Sequence, residues 1–143
     1  MTTYFQGALK QGDAPSEYQA AVTSIVTSVY KTTLQAASVG AVSSTIVLPK
    51  NSQIIAIYAD TTVAWTASGA VNLTAGTAAA GTQYITAVDL KTVTRGNPTL
   101  TAAQLLAMNN IGTNTSLVLT ATTASGANAV GTTLVTVLVA IVD

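Results

Sequence analysis

From Gly96 through Val142 the chain carries no charged side chain, and a second uncharged window runs from Thr61 through Val88. Charged residues make up 7% of the whole, against ~25% in ordinary soluble domains. Cysteine is absent, which removes disulfides, thiol nucleophiles and thiolate metal sites together. Histidine is absent too, and with it the usual general base and the commonest metal ligand. Aromatic residues amount to only 5%. Such a chain lacks most of the equipment of catalysis.

The few charges balance, 5 basic against 5 acidic. Binding to nucleic acid neutralises phosphates with clustered Lys and Arg. Here Lys10, Lys31, Lys50, Lys91 and Arg95 are scattered, so nucleic acid is not an expected partner. Mean hydropathy is +0.50, yet the most apolar stretch, Leu134–Val142, falls far short of the ~20 residues a spanning helix needs. No membrane partner is expected. The first residues show neither a basic nor an apolar signal region, and the expectation is synthesis in the cytoplasm.

What is present is a great deal of Ala, Thr, Ser, Gly and Val. Residues 1–20 are polar and interrupted by Gly7, Gly12 and Pro15; they read as an extended arm carrying Tyr4, Phe5 and Tyr18 as apolar handles. The remainder, 21–143, reads as one domain, a size that buries roughly two thirds of the unfolded surface. Val22, Ile25, Val26, Val29 and Tyr30 fit a helical stripe, but β-branched residues dominate and favour a strand from Ile25 onward. Thr45–Leu48 and Gln53–Asp60 flank Pro49-Lys50-Asn51-Ser52, which predicts a hairpin. Ile54 to Tyr58 are apolar on both faces and predict a central strand. Val63 and Trp65 alternate with Thr62, Ala64 and Thr66. Further strands are expected at Val71–Ala75, Gln83–Lys91, Leu117–Thr123 and Thr132–Val142.

Thr101–Met108 is the one expected helix. Thr101 and Gln104 form a capping box, and Leu100 and Leu105 stand at the positions of a hydrophobic staple. Seven or eight short strands at near-regular spacing, one short helix and an N-terminal arm make an all-β, jelly-roll-like sandwich.

Candidate chemistry is sparse. Asp60 and Asp89 are the carboxylates that acid–base work would need to bring together; both stand at strand ends, and nothing in the sequence joins them. Asp89, Lys91 and Arg95 read as a surface ion cluster of small energetic weight. Ser and Thr abound without the base that activates them. Asn72-Leu73-Thr74 and Asn114-Thr115-Ser116 match the glycosylation pattern, as chance permits in a Thr-rich chain. Gly76 and Gly81 bracket a loop without the Lys of a phosphate cradle. Trp65 either anchors an interface or fills the core. No cofactor, metal or catalytic residue is expected.

Four stretches carry a family resemblance. They are Leu48-Pro49-Lys50-Asn51-Ser52 before Ile54-Ile55, Val71-Asn72-Leu73-Thr74-Ala75-Gly76-Thr77-Ala78 before Tyr84, Pro98-Thr99-Leu100-Thr101-Ala102-Ala103-Gln104, and Gly131-Thr132-Thr133-Leu134-Val135-Thr136-Val137. In this order the chain resembles the capsid decoration, or cement, proteins of tailed bacteriophages. The resemblance implies a homotrimer on the capsid exterior that braces the major capsid protein. The arm residues Tyr4, Phe5, Lys10 and Tyr18 would then contact the capsid, and Leu117, Leu119, Leu134, Val135 and Val137 would lie between subunits. The alternative is a head-fibre or tail module that binds host carbohydrate through Tyr58, Trp65 and Tyr84.

Overall fold

The computed structural model describes residues 25–37, 40–109, 111, 113–124 and 130–142, with only the backbone of Ile25 and Val142. The arm expected over residues 1–20 lies outside the described residues. Eight strands and one helix follow in order: β1 (Ile25–Gln35), β2 (Val42–Leu48), β3 (Ser52–Val63), β4 (Val71–Gly76), β5 (Ile85–Asp89), β6 (Arg95–Gly96), α1 (Ala102–Asn109), β7 (Thr115–Thr123) and β8 (Thr132–Val142). They form two four-stranded antiparallel sheets, ordered β1-β8-β3-β6 and β2-β7-β4-β5. The first strand pairs with the last, the second with the seventh, the third with the sixth and the fourth with the fifth. That nesting is a long antiparallel ribbon rolled onto itself, a jelly-roll sandwich.

Alternation places the core. Thr133, Val135, Val137 and Val139 of β8 face inward against Leu117, Leu119 and Ala121 of β7 and Val71, Leu73 and Ala75 of β4, all with fully enclosed side chains. Each buried Val or Leu contributes on the order of 1.5–3 kcal/mol relative to exposure. Intervening residues such as Thr132, Leu134 and Thr136 sit on the outer face and are half-buried.

Three sequence expectations are corrected by this geometry. The segments around Pro49–Ser52 do not form a hairpin. β2 pairs with β7 in one sheet while β3 pairs with β8 in the other, so the turn carries the chain across the core. Leu48 and Ile54 are then buried in facing layers. Asn51 adopts φ 58 at this corner, a left-handed conformation that Asn tolerates better than most residues. The Ser52 hydroxyl donates to the Pro49 carbonyl at 2.6 Å.

The apolar run Ile54–Ile57 has a different cause from full burial. A register shift between Ile54 and Ala56 switches the inward parity, so that Ile54 and Ile57 both enter the core while Ile55 is exposed. β3 is nonetheless an interior strand as expected, flanked by β8 along its length and by the short β6 at Ala59 and Asp60. Finally, β3 ends at Val63, and Trp65 belongs to the connection that follows.

Trp65 fills the core, 1% exposed. Its indole N–H donates to Thr133 Oγ1 at 2.9 Å, and Thr133 shares a hydrogen bond with Thr61 at 3.1 Å, so the buried polar edge is satisfied. It plugs one end of the sandwich, where connections are stitched together. Trp65 N donates to Leu90 O, Thr66 N to Val130 O, Ala124 N to Ala70 O and Ala36 N to Gly131 O. A Cβ on Gly131 would meet the Trp65 ring at 2.6 Å. Replacing Gly131 with Ala is therefore expected to cost about 1–3 kcal/mol, the usual range for overpacking, read as a lower urea midpoint with unchanged slope.

Candidate interaction surfaces

Of the five side chains expected between subunits, Leu117, Leu119, Val135 and Val137 are completely enclosed in the chain's own core. Their strands are also interior to the sheets, with both backbone edges paired. Neither side chain nor backbone is left for a second copy, because strict alternation spends these residues on the sandwich itself. Only Leu134 stands on an outer face. Tyr4, Phe5, Lys10 and Tyr18 lie outside the described residues.

The three aromatic residues proposed for a carbohydrate platform are not on one exposed face. Trp65 and Tyr84 are buried, and burial pushes the Tyr84 phenol pKa up. Tyr58 is half-buried beside the Arg95 guanidinium, which lies 5.5 Å from the ring centroid, in the range of a cation–π contact.

The expected ion cluster is distributed differently. Arg95 pairs bidentately with Asp60, through Nε at 2.6 Å and a terminal nitrogen at 2.9 Å. That fork holds Asp60 below its ordinary pKa, the hydrogen bond to Arg95 being the largest cause. Asp89 instead accepts from Lys91 N and Thr92 Oγ1, fixing a local turn. Lys91 Nζ donates to the carbonyls of Ala67 and Gly69. Asp60 and Asp89 thus lie in different sheets with separate partners, and no carboxylate pair forms between them.

The capping box is present as expected. Thr101 N donates to Gln104 Oε1 at 2.9 Å, and Gln104 N to Thr101 Oγ1 at 3.3 Å. Gln104 also donates to Thr82 O and Thr86 Oγ1. An open groove of about 380 Å³ between α1 and the β4–β5 connection therefore presents no unpaired amide from Gln104. The staple is not formed by burial: Leu100 packs against the core, but Leu105 is 55% exposed. Asn114, in the second glycosylation-like triplet, accepts from Lys50 N, and Asn72 sits in the β4 ladder. The Gly76–Gly81 loop is folded tightly. Thr77 N donates to Gln83 Oε1, and Ala80 N to Thr120 Oγ1.

What remains on the surface has little charge, with Lys31 beside Thr136 and Asp60 beside Leu134 on the outer face of the β8 sheet. β1, eleven residues long, is an edge strand whose outer edge has no partner strand among the described residues. Across the outer face of its sheet, Val29 stands opposite Leu138, and Leu138 opposite Ala56. Beside them a groove of about 200 Å³ is lined by Ile55, Tyr58, Pro98 and Leu100. Sequence reading missed Val29, Ile55 and Leu106. The signal for Leu106 was available, as Leu105-Leu106 in a helix with no charge on any face.

Two measurements check these placements. Leu119→Ala should lower stability by about 2–5 kcal/mol, the range for a buried Leu, with no change in solution mass. Asp60→Asn should destabilise only above the ordinary carboxylate range. A depressed native pKa contributes stability that is present above the unfolded value, ~3.9, and lost as pH falls through the native one. The urea midpoints of variant and parent should accordingly differ at neutral pH and converge in acid.

No protein-family model, curated protein or solved structure matches this chain.

Proposed function

We propose that this is a structural virion protein, a decoration subunit that binds the outside of a tailed-phage head as a homotrimer and braces the lattice of major capsid protein. The observation that carries the reading is the unprotected sheet. Edge strands of soluble monomers are normally blunted by charge, proline or shortness. Here the long edge strand β1 has Lys31 as its only charge, and the face beside it carries Val29, Leu134 and Leu138. An assembled state covers such a surface. Leu134 on this outer face, together with the β1 edge, takes the subunit-contact role that the enclosed Leu117, Leu119, Val135 and Val137 do not fill. The motif resemblance supplies the kind of assembly, and the jelly-roll architecture agrees with it.

The arm residues Tyr4, Phe5, Lys10 and Tyr18 keep their proposed role in reaching the capsid, three copies acting with avidity that no single arm has. The carbohydrate-binding alternative loses its platform with the burial of Trp65 and Tyr84.

Light scattering should give a mass of three 14.4 kDa chains, and the protein should co-sediment with undecorated heads of the phage that encodes it. A monomer at high concentration that leaves such heads bare overturns the reading.

A further inference from the structure

Among the described residues, the charges and the exposed apolar side chains are segregated along the sandwich. One end carries the β2–β3 corner, the β4–β5 connection, α1 and the start of β1. Its geometry follows from the register: Val26 pairs with Ile141, Ile141 with Ser52, and Ser52 with Ile111 just beyond α1. β1 and the end of the helix therefore lie about 14 Å apart, three strand spacings. Of the nine large apolar side chains exposed among the described residues, Val26, Val47, Ile55, Leu105 and Leu106 belong to this end. Of the six charged side chains among the described residues, only Lys50 does. Asp60, Asp89, Lys91 and Arg95 belong to the opposite half, and Lys31 to the middle.

α1 has an inverted pattern. Its polar Gln104 is buried with Met108, while Leu105 and Leu106 are 55% and 75% exposed. Apart from Gln104 and the terminal Asn109 the helix is apolar all round, and a helix of that kind is ordinarily covered on every side. Gln104 is fully engaged within the chain, so the inversion is built into the fold.

We infer that this apolar end, centred on Leu105, Leu106 and Ile55, is the face with which the protein sits on an uncharged, apolar surface of the capsid lattice. The charged opposite end then faces solvent. The inference rests on the decoration reading and adds the orientation of the subunit. Two features favour the lattice over another copy as occupant. β1 begins at this end, so the proposed capsid-contact arm, which precedes it in sequence, is tethered to the same end. The long β1 edge and adjoining sheet face already offer a lateral surface for self-association.

The test uses the full chain and undecorated heads of the encoding phage in co-sedimentation, with light scattering in parallel. Leu105→Gln with Leu106→Gln keeps helix propensity, and Ile55→Thr, a second and independent change, keeps strand propensity. Each is expected to weaken binding about tenfold or more, as loss of an apolar anchor does, with solution mass unchanged. Val93→Gln, an equally exposed change at the charged end, should bind as the parent does. Parent binding should also persist in high salt, which screens charge and spares apolar contact.

Parent-like binding by both the double variant and Ile55→Thr overturns the orientation while leaving the decoration reading intact. Dissociation of the double variant into monomers assigns the face to a second copy, and likewise overturns the inference. Failure of the parent itself to bind heads overturns the decoration reading and this inference with it.

Discussion

β8 is the strand on which the sandwich depends. It is paired along its length on both sides, with β1 from Ile25↔Val142 to Gln35↔Thr132 and with β3 from Ser52↔Ile141 to Val63↔Thr132. Its inward residues Thr133, Val135, Val137 and Val139 are all enclosed. A slip of one residue would turn these outward and bring Leu134, Thr136 and Leu138 in. Thr133 fixes the register at one end, because its hydroxyl must meet the Trp65 indole and Thr61 together. Gly131, immediately before the strand, leaves room for that indole. The plug, the closing strand and the register are thus one arrangement.

That dependence explains which parts of the fold were legible. Strands with simple alternation, such as those expected at Val71–Ala75 and Leu117–Thr123, could be read directly, because a period of two needs no tertiary information. The helix could be read from its cap, where Thr101 and Gln104 satisfy each other within one turn. The Pro49–Ser52 corner could not, since a turn between apolar runs looks alike whether the runs lie side by side or face to face. The bulge at Ile55 was hidden for a related reason: a parity switch makes a strand appear apolar on both sides. Trp65 stood open between core and interface, and only the position of Thr133, distant in sequence, decides it.

The interaction surface was harder to read than the fold. Apolar residues in an uncharged strand were assigned to subunit contacts, but sheet alternation had already committed Leu117, Leu119, Val135 and Val137 to the core. Low charge therefore has two separate sources here. Part is ordinary interior. The rest is carried by outward Thr, Ser and Ala positions, by the β1 edge, and by a helix whose leucines face away from the core. Sequence pattern alone does not separate these, because both are written in the same residues.

The separation has a consequence for how the surface meets water and neighbouring copies. Four of the six described charges gather in the half that holds the Trp65 plug or next to it, and two of them, Asp60 and Arg95, neutralise each other. Asp89 and Lys91 are partly spent on fixing backbone turns. The formal charges of the whole chain cancel, so only a weak net field opposes close approach of one subunit to another. Water is held at that surface mainly by hydroxyls, whose neutral hydrogen bonds can be exchanged for contacts with a neighbour at small net cost. A protein that must remain a dispersed monomer gains nothing from this surface. For a subunit whose end state is a packed layer, the same surface removes the desolvation penalty that charged groups would impose at every contact.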